Sequence, residues 1–337
     1  MTTTQKQLHL AYAADEKYAR YVEVAIRAAY CKASRPADLI IHFLDCGLSD
    51  ETWEGVQSRV KAAVPAATLI RHVIAMARFQ GFKTWWGSQA IYARLFLPTL
   101  LPDVEWCLYA DADTLFLEDP LMLCDCFDPS LLLQGYPDPS CACEPRVQEW
   151  FRKVGCVAVH GQYLCSGFLI FNLKKWREEG IEAKSLKLLD ENPGAAYPDQ
   201  DALNAACSDR LGVLPEGWGT FTSRMFAVDR PKCVHYFARE SPWRAEFSWR
   251  TGYRDNLLIW LNCARVLVGI QRREIVKVPA WKWCLGRLYA RLVTMAVLTL
   301  SKVPKLGNRL RYFHGRFCDR KHRYLLSPKF WEQPSGN

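Results

Sequence analysis

Trp106-Cys-Leu-Tyr-Ala-Asp111-Ala-Asp113-Thr-Leu-Phe-Leu117 is the stretch on which the reading of this chain turns. Apolar residues on both sides make it a buried strand that breaks at two carboxylates and then resumes. Successive strand side chains point to opposite faces, so Asp111 and Asp113, two apart, share one. Paired carboxylate oxygens suit Mn²⁺ or Mg²⁺, cations that complete their shells with water and substrate phosphates. The same spacing also fits a solvated turn after a strand. The residues around it decide between the two.

Upstream, strand-like and helix-like runs alternate. Leu8–Ala13, Leu39–Leu44, Thr68–Ile74 and Glu105–Ala110 read as strands. Glu16–Cys31, Ser49–Ala62 (opened by a capping Ser49) and Ser88–Leu97 read as helices. This order predicts an α/β fold, a Rossmann-like, mostly parallel sheet with helices on both faces. Ligands of such sheets bind beyond the carboxyl ends of the strands, where Asp15 and Asp111 both emerge. From Asp125 to Gly161 the chain is rich in Pro, Cys and Gly and reads as a long irregular excursion. Ser166–Leu173 returns as a strand, and Lys174–Glu179 and Asp199–Cys207 as helices.

Of the 337 residues, half are hydrophobic, enough for one large core, and Lys and Arg exceed Asp and Glu by nine. The excess sits at one end. Between Arg265 and Lys329 sixteen Lys and Arg face only Glu274 and Asp319, which leaves the rest of the chain mildly acidic. This predicts a catalytic body over 1–262 and a basic, mainly helical C-terminal extension over 263–337. In the extension Trp281, Trp283, Leu288, Leu292 and Met295 lie among the charges, a pattern suited to an anionic membrane surface and too short to span it. The alternative is a helix packed on the body with a solvated basic face; nucleic acid is not an expected partner. Met1–Gln7 is polar with no hydrophobic signal core, so the expected location is the cytoplasm, peripheral on the inner face of the cell membrane. The fourteen Cys then read as reduced thiols, and Cys124/Cys126 and Cys141/Cys143 lack the spacing of a zinc knuckle.

Several separated segments, in a fixed order, carry a resemblance. They are Tyr12-Ala-Ala-Asp15-Glu-Lys-Tyr18, Tyr92-Ala-Arg94-Leu, Leu108-Tyr-Ala-Asp111-Ala-Asp113, Ser166-Gly-Phe-Leu-Ile-Phe-Asn172-Leu-Lys-Lys-Trp176 and Asp199-Gln200-Asp201-Ala-Leu-Asn204. Leu214-Pro-Glu-Gly-Trp218 and His235 followed by Pro242-Trp243 complete the set. Together they resemble the retaining sugar-nucleotide glycosyltransferases of family 8, which include bacterial lipopolysaccharide galactosyl- and glucosyltransferases and glycogenin. The resemblance implies a GT-A fold, a UDP-hexose donor (UDP-glucose or UDP-galactose) and Mn²⁺, with Mg²⁺ as the alternative, held by Asp111, Asp113 and His235. It implies that Ala13, Asp15 and Tyr18 hold the uracil, and that Arg94 meets donor sugar and diphosphate. Ala112, Ser166 and Gly167 complete that donor site. Asp199 accepts from sugar hydroxyls, Gln200 lies under the anomeric carbon and Asp201 stands beside it; these are the implied catalytic residues. Because a Gln is a poor nucleophile, same-face displacement through an oxocarbenium-like state is the expected route to retention.

The chain departs from the family pattern at Lys17 and Cys165, where Asn is usual, and at Ala238 and Ser241, where the family has Gly and a phosphate-binding Lys. Arg239 and Arg244 are the nearby replacements for that charge. Trp85-Trp86 offers flat faces for an acceptor sugar. The acceptor expected from the resemblance is a glycan or glycolipid such as lipopolysaccharide or surface polysaccharide. Two rivals remain at this level. A haloacid-dehalogenase-type phosphatase or phosphotransferase would use Asp111 as nucleophile, and a non-catalytic membrane adaptor would use only the basic extension.

Overall fold

The computed structural model describes residues 7–237, 241–244, 255–275, 279–300 and 322–332. They form two compact units. One comprises the chain up to Val22 with Arg35–Ala112 and Pro120–Pro215; the other comprises Glu23–Ser34, Asp113–Asp119 and the chain from Glu216 onward.

The first unit is built on a seven-stranded sheet in the order β3-β2-β1-β4-β7-β6-β8. Its strands are β1 (Leu8–Ala14), β2 (Leu39–Asp45), β3 (Thr68–Val73), β4 (Trp106–Ala110), β6 (Leu133–Pro137), β7 (Leu164–Asn172) and β8 (Leu211–Val213). β3, β2, β1 and β4 run parallel, whereas β7 runs against both β4 and β6. β1, β4 and β7 are almost wholly buried, which is why they read as continuous apolar runs: helices and loops cover both faces. After β3 the chain crosses back to place β4 on the other side of β1, so the carboxyl ends of β1 and β4 form a switch point, and Asp15 and Asp111 lie just beyond them.

Several boundaries move for physical reasons. The first helix is Ala19–Lys32, because Asp15–Tyr18 closes a turn in which Tyr18 N and Ala19 N both donate to Asp15 O. Ser49 caps the helix Asp50–Ala63 by accepting from Thr52 N at 3.2 Å. The expected α-helix over 88–97 is instead a 3₁₀ helix, Ala90–Phe96, with a short turn of helix after it. Pro98 has no N–H to offer Arg94 O, so Leu97 N takes that carbonyl in the tighter pattern. The stretch 125–161 is not an irregular excursion. It contains β6, inside the sheet, and a nine-residue helix, Pro145–Lys153. β6 escapes a propensity reading because its sequence, Leu-Gln-Gly-Tyr-Pro, has no β-branched residue. Gly135 is needed there, since a Cβ would come within 2.6 Å of the Leu169 side chain across the pair.

The second unit contains a small sheet in the order β5-β10-β9, formed by Thr114–Phe116, Cys233–His235 and Thr220–Phe221. Here β10 pairs antiparallel with β5, His235 opposite Thr114. The same unit gathers the far end of the chain: Lys32 Nζ donates to Phe330 O at 2.5 Å and lies 3.5 Å from the Phe330 ring centre, and Asn262 Nδ2 donates to Leu326 O at 2.9 Å. The helix Ala280–Leu300 exposes Trp281, Leu285, Leu288, Leu292 and Met295, spaced four and three apart along one stripe. No helix among the described residues is long and apolar enough to cross a membrane. None of the thirteen described cysteines is in a disulfide.

Three imidazoles line up across β1, β2 and β3. His9 Nδ1 is 2.9 Å from His42 Nε2, and His42 Nδ1 is 3.0 Å from His72 Nε2. Burial, helped by the two neighbouring rings, pushes His42 down to about 3; burial also lowers His9 and His72. A histidine lowered in the folded state gives stability that is complete above the unfolded value near 6.5 and is lost as pH falls below it. From pH 7 to pH 5, His42 alone should cost about 2 kcal/mol of unfolding free energy. Urea unfolding at the two pH values should show a loss in the wild type that exceeds the one in His42→Leu by about that amount.

Candidate active site

The residues singled out from the sequence fall into two groups, one in each unit. In the first unit the hub is Arg94, on the 3₁₀ helix and only 1 % exposed. Its Nη2 donates to Asp111 Oδ1 at 2.8 Å, its Nε to Ile91 O at 2.9 Å and its Nη1 to Ser166 O, while Nη1 also lies 3.4 Å from Asp199 Oδ2. The guanidinium sits 4.2 Å from the centre of the Tyr109 ring. Burial works against this charge, but Asp111, Tyr109 and Asp199 outweigh it and hold Arg94 more firmly protonated than usual. Burial raises the Asp199 carboxyl, with Arg94 opposing the rise.

The helix Pro198–Ala206 carries the next three residues, all buried. Gln200 Oε1 accepts from Ser166 N at 2.9 Å. A backbone N–H can only donate, so the side-chain oxygen must face Ser166 and the NH₂ end faces away. That nitrogen, Nε2, is buried and has no hydrogen-bond partner. Asp201 accepts from Tyr163 OH at 2.6 Å and Tyr197 N at 2.9 Å, yet burial still lifts its carboxyl to about 6. Asn204 fastens this helix to β7: its side chain accepts from Leu164 N and donates to Leu164 O and to Gln200 O.

Beyond β1, Ala13 is buried and Asp15 has a buried carboxylate oxygen, Oδ1, with no hydrogen-bond partner. Tyr18 is half-buried nearby on the turn, with Lys17 Nζ 5.2 Å from its ring centre. Gly167 O accepts from Asp111 N at 2.9 Å, which continues the β4–β7 pairing up to the aspartate. An unsatisfied acceptor at Asp15 and an unsatisfied donor at Gln200 are what a polar ligand lined by these residues would relieve.

In the second unit Asp113 precedes β5. Its Oδ1 is 3.1 Å from His235 Nε2, its Oδ2 is 3.0 Å from Ser241 Oγ, and its backbone O accepts from Tyr236 N. The Ser241 hydroxyl also lies 2.8 Å from Tyr236 O and has one proton to give. Only Ala112 separates Asp113 from Asp111 along the chain. One ligand atom from each of Asp111, Asp113 and His235 lies within 4.8 Å of the others. Two carboxylates and an imidazole suit a divalent first-row cation. Ala238 and Arg239 lie outside the described residues, and the Arg244 side chain is not described.

Sequence reasoning passed over Tyr109, Tyr163 and Asn204. Tyr109 was open to detection, since it stands two before Asp111 on one strand face. Asn204, four after Gln200, was open to it as well. Nothing local marked Tyr163, which reaches Asp201 only because β7 begins beside that helix.

The sequence model described as "Glycosyl transferase family 8" matches residues 9–246. The chain belongs to that family. Among curated proteins, family 8 kinship shows with a putative glycosyltransferase of Haemophilus influenzae, 25% identical over 265 residues, covering 75% of this chain and 78% of the relative. A lipopolysaccharide 1,2-glucosyltransferase of Escherichia coli is 24% identical over 256 residues, covering 71% and 74%. Among solved structures, the galactosyltransferase LgtC in complex with donor and acceptor sugar analogues superposes with a TM-score of 0.63 at 22% identity, over 83% of this chain and all of that one. At that identity the likeness speaks for the fold, a GT-A-type α/β sheet. This family 8 member is a glycosyltransferase with a candidate Asp-Asp-His metal site.

Arg94→Met should leave Asp111 and Asp199 without their buried cation. Removing one partner of such a cluster costs about 3–5 kcal/mol. Chemical denaturation should show a loss of that order, or a failure to fold.

Proposed function

We propose that this protein transfers a hexose, glucose or galactose, from a UDP-sugar to a glycan acceptor with retention of the anomeric configuration. The observation that carries the reading is the convergence of Asp111, Asp113 and His235 in a chain of family 8. Mn²⁺ is the preferred ion because an imidazole joins the carboxylates, with Mg²⁺ accepted less readily. A bound divalent cation would neutralise charge on the diphosphate as it leaves.

The chain's own residues take the remaining roles. Asp15 receives the N–H of the uracil base on its unsatisfied oxygen, beside Ala13, with Tyr18 as a stacking face. Arg94, already fixed by Asp111, Asp199 and Ser166, orients the donor, and Ala112, Ser166 and Gly167 line it with their backbone. Asp199 accepts from a sugar hydroxyl. Gln200 offers its NH₂ end to a donor oxygen; its carbonyl oxygen is engaged by Ser166 N, so it does not attack carbon. This favours same-face displacement. The acceptor hydroxyl forms the new bond to the anomeric carbon as the bond to the phosphate oxygen breaks, and that oxygen takes the acceptor's proton. Asp201, held by Tyr163 and Tyr197, keeps the base of the pocket in place. Ser241 steadies Asp113.

The acceptor is lipopolysaccharide or another surface glycan, as the name of the E. coli relative suggests, approached at the cytoplasmic face of the membrane. The 263–337 segment would hold the enzyme there as a peripheral protein: the apolar stripe of Ala280–Leu300 enters the anionic headgroup layer while the excess of Lys and Arg meets its charge.

Incubation with UDP-glucose, UDP-galactose and other nucleotide sugars, each with Mn²⁺, should release UDP from one of the first two, and EDTA should abolish it. Asp113→Asn should lower turnover at least about 100-fold, as expected when a ligand of a metal that stabilises a leaving group is lost. Absence of release from every UDP-hexose overturns the donor assignment. For the membrane, Leu288→Glu with Leu292→Glu should reduce co-sedimentation with vesicles containing phosphatidylglycerol and leave UDP release unchanged; undiminished binding removes the anchoring role.

A further inference from the structure

Tyr109 is 1 % exposed in the middle of the sheet, with its backbone fixed by Ala11 on one side and Leu169 on the other. A residue so placed has no freedom to follow the movements of a ligand. Its ring underlies the Arg94 guanidinium at 4.2 Å, and its hydroxyl donates to Asp111 Oδ1 at 3.0 Å. Arg94 Nη2 donates to that same oxygen at 2.8 Å. Two donors from different elements thus converge on one carboxylate oxygen, and the ring that supplies the first also supports the second. Asp111 lies just past the end of β4.

Resting on the metal-dependent reading above, we propose that Tyr109 is a positioning residue that fixes the carboxylate plane of Asp111, and with it Arg94, before a divalent cation binds. A tyrosine that merely filled the core would need its ring only, and its hydroxyl could point to any acceptor. Instead the hydroxyl lies on the oxygen that Arg94 also uses, so its removal takes away one of these two donors to that oxygen. Outer partners of metal-binding carboxylates typically change affinity 10–100-fold when removed.

Tyr109→Phe isolates the effect, since it keeps the ring beneath Arg94 and deletes one oxygen atom. Mn²⁺ binding in the presence of UDP is read by the loss of the free-ion electron paramagnetic resonance signal, alongside thermal melting with and without Mn²⁺ and UDP. Tyr30→Phe, which alters a buried tyrosine on the helix Ala19–Lys32, serves as the matched control. The expected result is Mn²⁺ binding weakened about tenfold or more in Tyr109→Phe, and within twofold of wild type in Tyr30→Phe. The ligand-induced rise in melting temperature should shrink in Tyr109→Phe whatever its starting stability. Equal Mn²⁺ affinity in wild type and Tyr109→Phe overturns the positioning role and leaves the metal site standing. A wild type that binds no Mn²⁺ with UDP overturns both, which separates the two failures.

Discussion

A single buried guanidinium organises the chemistry of the first unit. Arg94 reaches Asp111, Asp199 and the carbonyl of Ser166, and rests on the ring of Tyr109. An arginine with so little exposure survives only because carboxylates and carbonyls replace the water it has lost. The cost of burying the charge is offset by fixing three elements at once: the 3₁₀ helix, the end of β4 and the helix Pro198–Ala206. The planar fork explains why arginine stands there, since a lysine could not serve several acceptors in fixed directions.

The arrangement also explains what the fold does for the site. β1 and β4 are neighbours that end together, and each delivers an aspartate just after the backbone leaves the sheet. β7, antiparallel to β4, brings Ser166 and Gly167 to the same end and gives Gln200 a backbone N–H on which to dock. That contact decides the direction of the Gln200 amide. Its chemical role as donor or acceptor is therefore set by the sheet and not by the residue type alone. Beyond Ala112 the second unit continues the pattern with its own pairing, in which β10 lies against β5 and puts His235 on Asp113.

Much of this was legible in the chain. The alternation of apolar runs gave the order of strands and helices, because burial on both faces leaves a continuous hydrophobic signal that needs no partner to be seen. The carboxylate pair stood out as polar residues within an apolar run, whereas Arg94 and the Asp199-Gln200-Asp201 run were marked by the resemblance to family 8. β6 did not stand out. Its residues include no β-branched side chain, and pairing with β7 on one side and β8 on the other makes a strand of them. The 3₁₀ helix was hidden for a related reason: its composition is helical, and Pro98 sets the pitch from outside the segment. The row of His9, His42 and His72 was likewise invisible, since three histidines about thirty residues apart meet only when three strands lie in register.

The sequence by itself determined the family, through its ordered motifs, and the class of sheet, through the alternation of apolar runs, because both follow from residue type and spacing along the chain. The tertiary structure alone decided how those side chains face one another. Which oxygen of Asp111 is held, which end of Gln200 is left to a ligand, and that Tyr109 lies beneath Arg94 all depend on contacts between residues far apart in the chain. Hydrogen bonds have direction and buried groups must be paired, and neither condition can be resolved until the elements are packed.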